Sequence, residues 1–239
     1  MIRKLLFFGA LFPATCALAA PPNRPQINVT AYTIHADLEP ASGRMTATVA
    51  VTFTALDDLN VVTLGLNNAF QITALTDDKK NALTSERNVT DSTVRITPAT
   101  LLTRGTVSTY NFTYSGAPTV ETSPVDGIKL VQIADPISIL LYAGRWFPMT
   151  GLFTDRFTAN IAITVPKGER VVGSGAGTGA AAKPKSLEND REEYDFAWSK
   201  PGFPGTIVAG KFLAPISIPG VANVRAYVTE PNKEKAHDL

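Results

Sequence analysis

Leu140–Pro166 reads LLYAGRWFPMTGLFTDRFTANIAITVP, and its second half decides the fold class. Phe157, Ala159, Ile161, Ile163 and Val165 fall at every second position, separated by Thr158, Asn160, Ala162 and Thr164. That is the period of a half-buried strand, not of a helix. The first half sets Arg145, Trp146, Phe147 and Pro148 in succession, a bulky, positively charged corner leading into the strand.

The same alternation extends outward in both directions. Tyr32, Ile34, Ala36 and Leu38 are one dry face, Ala41-Ser42-Gly43 is a turn, and Met45, Ala47, Val49, Val51 and Phe53 are the next dry face. Two such runs joined by a short Gly-containing turn predict an antiparallel hairpin. Further short runs follow at Val62–Leu66, Phe70–Ile72, Val94–Ile96 and Tyr110–Tyr114, then at Val171–Val172 and Tyr194–Trp198, with turn clusters such as Thr76–Lys80 between them. No long amphipathic helix interrupts them. Many short strands at this spacing predict an all-β fold, a large antiparallel multi-sheet sandwich.

At 239 residues and 44% hydrophobic content the chain can bury a sizeable core. Lys+Arg number 22 against 21 Asp+Glu, a balance that gives no electrostatic reason for a nucleic acid or an anionic membrane as partner. Residues 1–19 read as a signal peptide: Arg3 and Lys4 supply the charge, Leu5–Phe12 the apolar stretch, and Ala17-Leu18-Ala19 the cleavage site. The apolar run is far shorter than the roughly 20 residues that span a bilayer, and no later segment is long enough. Cys16, the single cysteine, leaves with the leader, so the exported chain has no thiol for a disulfide, a metal or a nucleophile. A periplasmic or extracellular location is expected.

The central stretch resembles the aminopeptidase N family of zinc metallopeptidases. A family phrase of the type Arg-x-Phe-Pro-Cys-x-Asp-x-Pro-x-x-Lys-Ala-x-Phe-x-Ile-x-Ile is matched without a gap by Arg145, Phe147, Pro148, Ile161 and Ile163, with Arg156 in place of Lys. Met149, Gly151 and Phe153 stand where that phrase has Cys, Asp and Pro. A second likeness covers Lys200–Phe212 and Val224–Pro231: a Pro-hinged loop, an aliphatic run, Gly210-Lys211-Phe212, and a closing strand. The resemblance implies that residues 20–230 form the saddle-like amino-terminal domain of such a protein. It also implies that residues 231–239 begin a linker or helix to a missing catalytic domain.

Catalysis in that family uses a His-Glu-x-x-His helix, a downstream Glu and a Gly-x-Met-Glu-Asn strand. None of these occurs in the sequence, whose two histidines are His35 and His237. No catalytic residue and no metal ligand is therefore expected in this chain, and zinc is expected in the missing domain. A Gln-x-Glu pair that binds the amine of a peptide in the family falls here on Ile137 and Ile139, with Asp135 the nearest carboxylate. The resemblance thus implies a non-catalytic domain that walls the active-site cavity and docks a zinc-peptidase domain. Arg145, Trp146, Phe147 and Pro148 are the domain-docking candidates, and peptide is a substrate only in that context. The other reading is a free-standing secreted sandwich that binds carbohydrate or a protein partner through exposed aromatics such as Trp146 and Tyr142.

Four further patterns have bland and functional readings. His35, Asp37 and Glu39 share one strand face and could ligate a metal, or simply form a wet face opposite Ile34, Ala36 and Leu38. Gly175–Ala180, with Asp195 further on, imitates a dinucleotide fingerprint, but Pro184 would cut its helix short, which favours a loop. Asp126 and Asp135 are a conceivable carboxylate pair. Asn28, Asn88 and Asn111 each begin an Asn-x-Thr glycosylation pattern.

Overall fold

The computed structural model describes residues 25–123, 127–151, 154–175, 184–217 and 225–234. The alternation at the start of the chain becomes β1 (Ile27–Glu39) and β2 (Arg44–Ala55), an antiparallel pair. Gly43, at φ +67°, closes the turn between them, in the left-handed region that a residue without Cβ enters freely. A bulge between Val29 and Ala31 resets the alternation. Ile27 and Val29 point inward before it, and Tyr32, Ile34, Ala36 and Leu38 after it.

Next come β3 (Val62–Gly65), β4 (Gln71–Thr76), β5 (Thr84–Asn88), β6 (Thr93–Thr97) and β7 (Val107–Gly116). β8 (Glu121–Thr122), β9 (Lys129–Gln132) and β10 (Ile137–Leu140) lead to a single 3-10 turn at Tyr142–Gly144. Then follow β11 (Phe157–Pro166), β12 (Arg170–Gly173), β13 (Lys185–Leu187), β14 (Arg191–Gly202), β15 (Ile207–Gly210), β16 (Ile216–Ser217) and β17 (Arg225–Ala226). The expected helix after residue 230 is represented by one 3-10 turn, Glu230–Asn232, and residues 235–239 lie outside the described residues. So do residues 1–24, which include the expected signal peptide at residues 1–19.

The strands form a seven-stranded sheet in the order β13-β14-β11-β1-β2-β7-β4, a five-stranded sheet in the order β12-β15-β10-β9-β8, a three-stranded sheet β3-β6-β5, and the pair β16-β17. The all-β multi-sheet architecture expected from the sequence is therefore present. One pairing differs from the antiparallel expectation: β1 and β11 run parallel, with Ile34 opposite Ile161 and Ala36 opposite Ile163. Parallel neighbours need a long crossover, and here it is the whole chain between them. The inner faces of the three larger sheets contribute to one continuous core, from Leu38 and Phe53 through Ile96 and Phe112 to Val131, Ile163 and Ile207. Each such apolar side chain stabilises the fold by about 1.5–3 kcal/mol relative to exposure.

Candidate functional site: the Arg145–Met149 corner

The stretch that decides the fold also ties the sheets together. Leaving β10, the chain makes the 3-10 turn and places Arg145 in the left-handed region, at φ 52° and ψ 37°. Gly144 is required just before it, because a Cβ there would lie 2.5 Å from the carbonyl oxygen of Leu130 in β9. The corner then runs beside the end of β3. The Asn67 amide donates to the carbonyl of Arg145 at 3.0 Å, and Gly65 and Met149 exchange amide-to-carbonyl bonds of 2.6 and 3.0 Å.

Trp146 is fully buried and joins two other sheets. Its indole N–H donates to the carbonyl of Gly205, ahead of β15, at 2.8 Å, and its own carbonyl accepts from the Tyr114 hydroxyl of β7 at 2.8 Å. Phe147 packs edge-on to Trp146 and to Tyr32 of β1, with ring centroids 4.9 and 5.1 Å apart. Phe157 at the start of β11 meets Tyr32 at 4.6 Å. Burial raises the pKa of the Tyr32 and Tyr114 hydroxyls well above the ordinary value, with Tyr142 and Asp155 adding to the effect at Tyr32.

This burial corrects the expectation of an exposed aromatic corner. Trp146 and Phe147 have no accessible surface, Tyr142 retains 7%, and Pro148 is buried. None of them is a surface platform for a sugar or a partner. Of the four docking candidates, Arg145 alone reaches the surface. It is half-buried, and its Nη1 donates to the carbonyl of Asp91 at 2.9 Å. The sequence signal, a run of aromatics after an Arg, was the same for a core hub as for a seam; the reach of Trp146 to Gly205 depends on chain 59 residues away.

Ile137 and Ile139 lie on the outer face of the five-stranded sheet. Ile139 is aligned with Gln132 on one side and Val208 on the other, and Val208 with Val172. Four aliphatic side chains on this face, Ile137, Ile139, Val172 and Val208, are half-buried, while Ser138 and Leu140 of the same strand are buried on the core side. An antiparallel sheet with a wet outer face normally carries polar residues there. The row Ile137, Ile139, Val172 and Val208 departs from that pattern.

The remaining candidates separate. Asp135 pairs with Lys211 Nζ at 3.1 Å, whereas Asp126 lies outside the described residues. Asp37 and Glu39 both pair with Arg191 of β14, and His35 is exposed on the outer face of β1. Among the described residues no group of three His, Cys, Asp or Glu lies close enough to hold a metal. Gly175 is described but residues 176–183 are not, so the imitation fingerprint falls largely outside the described residues. Asn88 is exposed at the β5–β6 hairpin, Asn28 is exposed on β1, and Asn111 donates to the carbonyl of Asp77 at 3.1 Å. No helix of the described residues is long and apolar enough to cross a membrane.

No protein-family model matches the sequence, and no curated protein does. Solved structures do match in fold. An M1 zinc metallopeptidase from Deinococcus radiodurans superposes with a TM-score of 0.66 at 16% identity, over 85% of this chain and 47% of that one. A variant M1 zinc metallopeptidase from the same organism, bound to a Tyr-Ser-Ala substrate, gives 0.66 at 18% identity over 89% and 52%. A two-domain M1 zinc metallopeptidase variant bound to L-tryptophan gives 0.62 at 17% over 90% and 52%. The chain thus shares its β architecture with M1 zinc metallopeptidases and spans about half of their length.

Proposed function

We propose that this chain is the non-catalytic amino-terminal domain of an exported zinc metallopeptidase of the aminopeptidase N type, walling the active-site cavity and docking the catalytic domain. The observation that carries the reading is the coverage. Between 84% and 90% of this chain aligns with about half of each two-domain M1 peptidase, and the sequence contains no His-Glu-x-x-His. In this reading zinc and the hydrolytic groups belong to a partner domain, and the parent activity is removal of amino-terminal residues from peptides. The apolar row Ile137, Ile139, Val172 and Val208 supports a docked neighbour. Arg145 is the docking contact at the corner, with Trp146, Phe147 and Pro148 holding it from behind.

The test begins with the gene. An in-frame continuation past Leu239 that encodes His-Glu-x-x-His supports the proposal. A stop codon there, with the purified chain binding a glycan or a protein partner, supports the free-standing module. With the full-length protein in hand, Arg145→Ala should weaken association of the two halves more than it weakens folding of this domain. Equal loss of thermal stability with unchanged docking counts against Arg145 as a contact.

A further inference from the structure

The β5–β6 hairpin carries Glu86-Arg87-Asn88-Val89-Thr90 at its tip. Side chains alternate along a strand, so Arg87 points to one face of β5 while Glu86 and Asn88 project from the other. The Arg87 guanidinium reaches inward and donates to the carbonyls of Leu66, Asn67 and Phe70 at 2.8, 3.3 and 2.7 Å. It pins the hairpin to the rest of the chain from behind. Glu86, Asn88 and Thr90 are exposed, Val89 is 66% exposed, and β5 is the outermost strand of its sheet. Asn88 Oδ1 accepts from the Thr90 amide at 3.1 Å, and Asn88 Nδ2 donates to Asp91 at 3.1 Å. This Asx turn fixes the asparagine at the start of the bend.

An asparagine followed at the second position by Ser or Thr is the acceptor pattern for N-linked glycosylation, and the structure separates the three that occur here. Asn28 is exposed, but it lies within β1 opposite Thr54 of β2, and the Thr30 hydroxyl is turned onto the carbonyl of Thr52 at 3.3 Å. Asn111 is half-buried in β7, between β2 and β4, with its side chain engaged by the carbonyl of Asp77. Reaching either one requires strands of the seven-stranded sheet to open. Of the three, Asn88 alone stands at an exposed turn. It alone also has a carboxylate two residues before it, Glu86, where Asn28 has Gln26 and Asn111 has Thr109. Bacterial transferases that modify exported proteins after folding require an acidic residue at that position, and here it lies on the same strand face as the acceptor amide.

We propose that Asn88 is the acceptor of an N-linked oligosaccharide, delivered from a lipid diphosphate carrier to the folded, exported chain. Asn88 Nδ2 bonds to the anomeric carbon of the first sugar as the bond from that carbon to the diphosphate oxygen breaks. The lipid diphosphate leaves with the electron pair, and Nδ2 gives up one of its two protons. The N–H that remains can keep the bond to Asp91, so the hairpin holds the same shape with the sugar in place. The proposal rests on the export expected from residues 1–19 and is independent of the peptidase reading. To test it, the chain is produced with its own leader in bacterial cells that carry a periplasmic oligosaccharyltransferase and its lipid-linked donor, and each cell fraction is analysed by mass spectrometry. The periplasmic chain should carry one oligosaccharide on Asn88 and none on Asn28 or Asn111. Asn88→Gln should abolish the modification and Glu86→Gln should remove most of it, in chains whose circular dichroism is unchanged. A periplasmic chain without sugar, or with sugar on Asn28 or Asn111 as readily as on Asn88, overturns the proposal. A chain retained in the cytoplasm overturns the export reading instead, and the purified transferase acting on the purified folded chain then decides Asn88 with the same two variants.

Discussion

The indole N–H of Trp146 ends on the carbonyl oxygen of Gly205, 2.8 Å away, and both residues are buried. This bond holds the corner after β10 against the loop before β15, so two segments far apart in sequence share one fixed point. Trp146→Ala should cost about 3–5 kcal/mol, the range for emptying a large aromatic site. Trp146→Phe keeps a ring but leaves the Gly205 carbonyl unpaired, and should cost about 1–3 kcal/mol. Urea unfolding of both variants checks the order. Equal, negligible losses would remove Trp146 from its place as the hub.

Gly205 is the other half of that contact. Its φ is +117°, and a Cβ on it would lie 2.8 Å from Cε1 of Phe147. Gly205→Ala is therefore strained in its backbone and overpacked against the ring, with an expected cost of about 1–3 kcal/mol from the packing alone. Phe147→Leu in the same chain should recover part of the packing loss and none of the backbone loss. A double-mutant cycle measures that coupling directly.

The fold was legible where strands bury one face and solvate the other. The alternating runs in β1, β2, β7 and β11 are long enough to be read residue by residue. β5 was not legible, because Thr-Ser-Glu-Arg-Asn has no apolar residue and all but Arg87 are exposed; it is held as the edge partner of β6 and by Arg87, which donates to the carbonyls of Leu66, Asn67 and Phe70. The parallel pairing of β1 with β11 leaves no mark on either strand, since alternation says which face is dry and nothing of the neighbour's direction. At the corner the sequence offered Trp146 and Tyr142 as exposed aromatics, and both are buried. Burial there follows from Tyr32, Tyr114 and Gly205 closing over Trp146 and Phe147, which are contacts between distant segments. The unpaired state of the Tyr110 hydroxyl was not legible at all, since it is a property of the packed molecule.

Glu169 gives a prediction in pH. It is 4% exposed, and its Oε2 has no hydrogen-bond partner. Burial raises its pKa above the ordinary 4.5, Lys211 opposes the rise, and Asp135 adds to it. The folded state therefore keeps this proton at pH values where the unfolded chain has released it. Stability from this group is greatest below about 4.5, the unfolded value, and falls as pH rises through the window up to the raised folded value. Glu169→Gln, neutral throughout, should be more stable than the natural chain at pH 7, and the difference should shrink as pH drops below that window. Denaturant midpoints taken across pH for the two proteins test this; a constant difference would mean that the carboxylate is not strained by its burial.

Arg191 gives the last. It stands at the start of β14, across β11 from β1, with its side chain 15% exposed. Its Nη1 meets Glu39 at 2.8 Å, its Nη2 donates to the carbonyl of Leu38 at 2.9 Å, and it also pairs with Asp37. The two carboxylates are about half exposed, at 49% and 53%, so water screens the ion pairs and each is worth only a fraction of a kcal/mol to about 1 kcal/mol. The carbonyl bond is different, because the guanidinium that makes it is desolvated, and burial accordingly lowers the Arg191 pKa. Arg191→Met retains the buried stem and removes all three contacts, with an expected loss of about 1–2 kcal/mol. Asp37→Asn and Glu39→Gln together leave the carbonyl bond in place, and should cost less than Arg191→Met. Raising the salt concentration should narrow the gap between the natural chain and the double variant while leaving most of the Arg191→Met loss. A loss that vanishes wholly in high salt would assign Arg191 to surface charge alone and leave the β14 to β1 link to the strand pairing through β11.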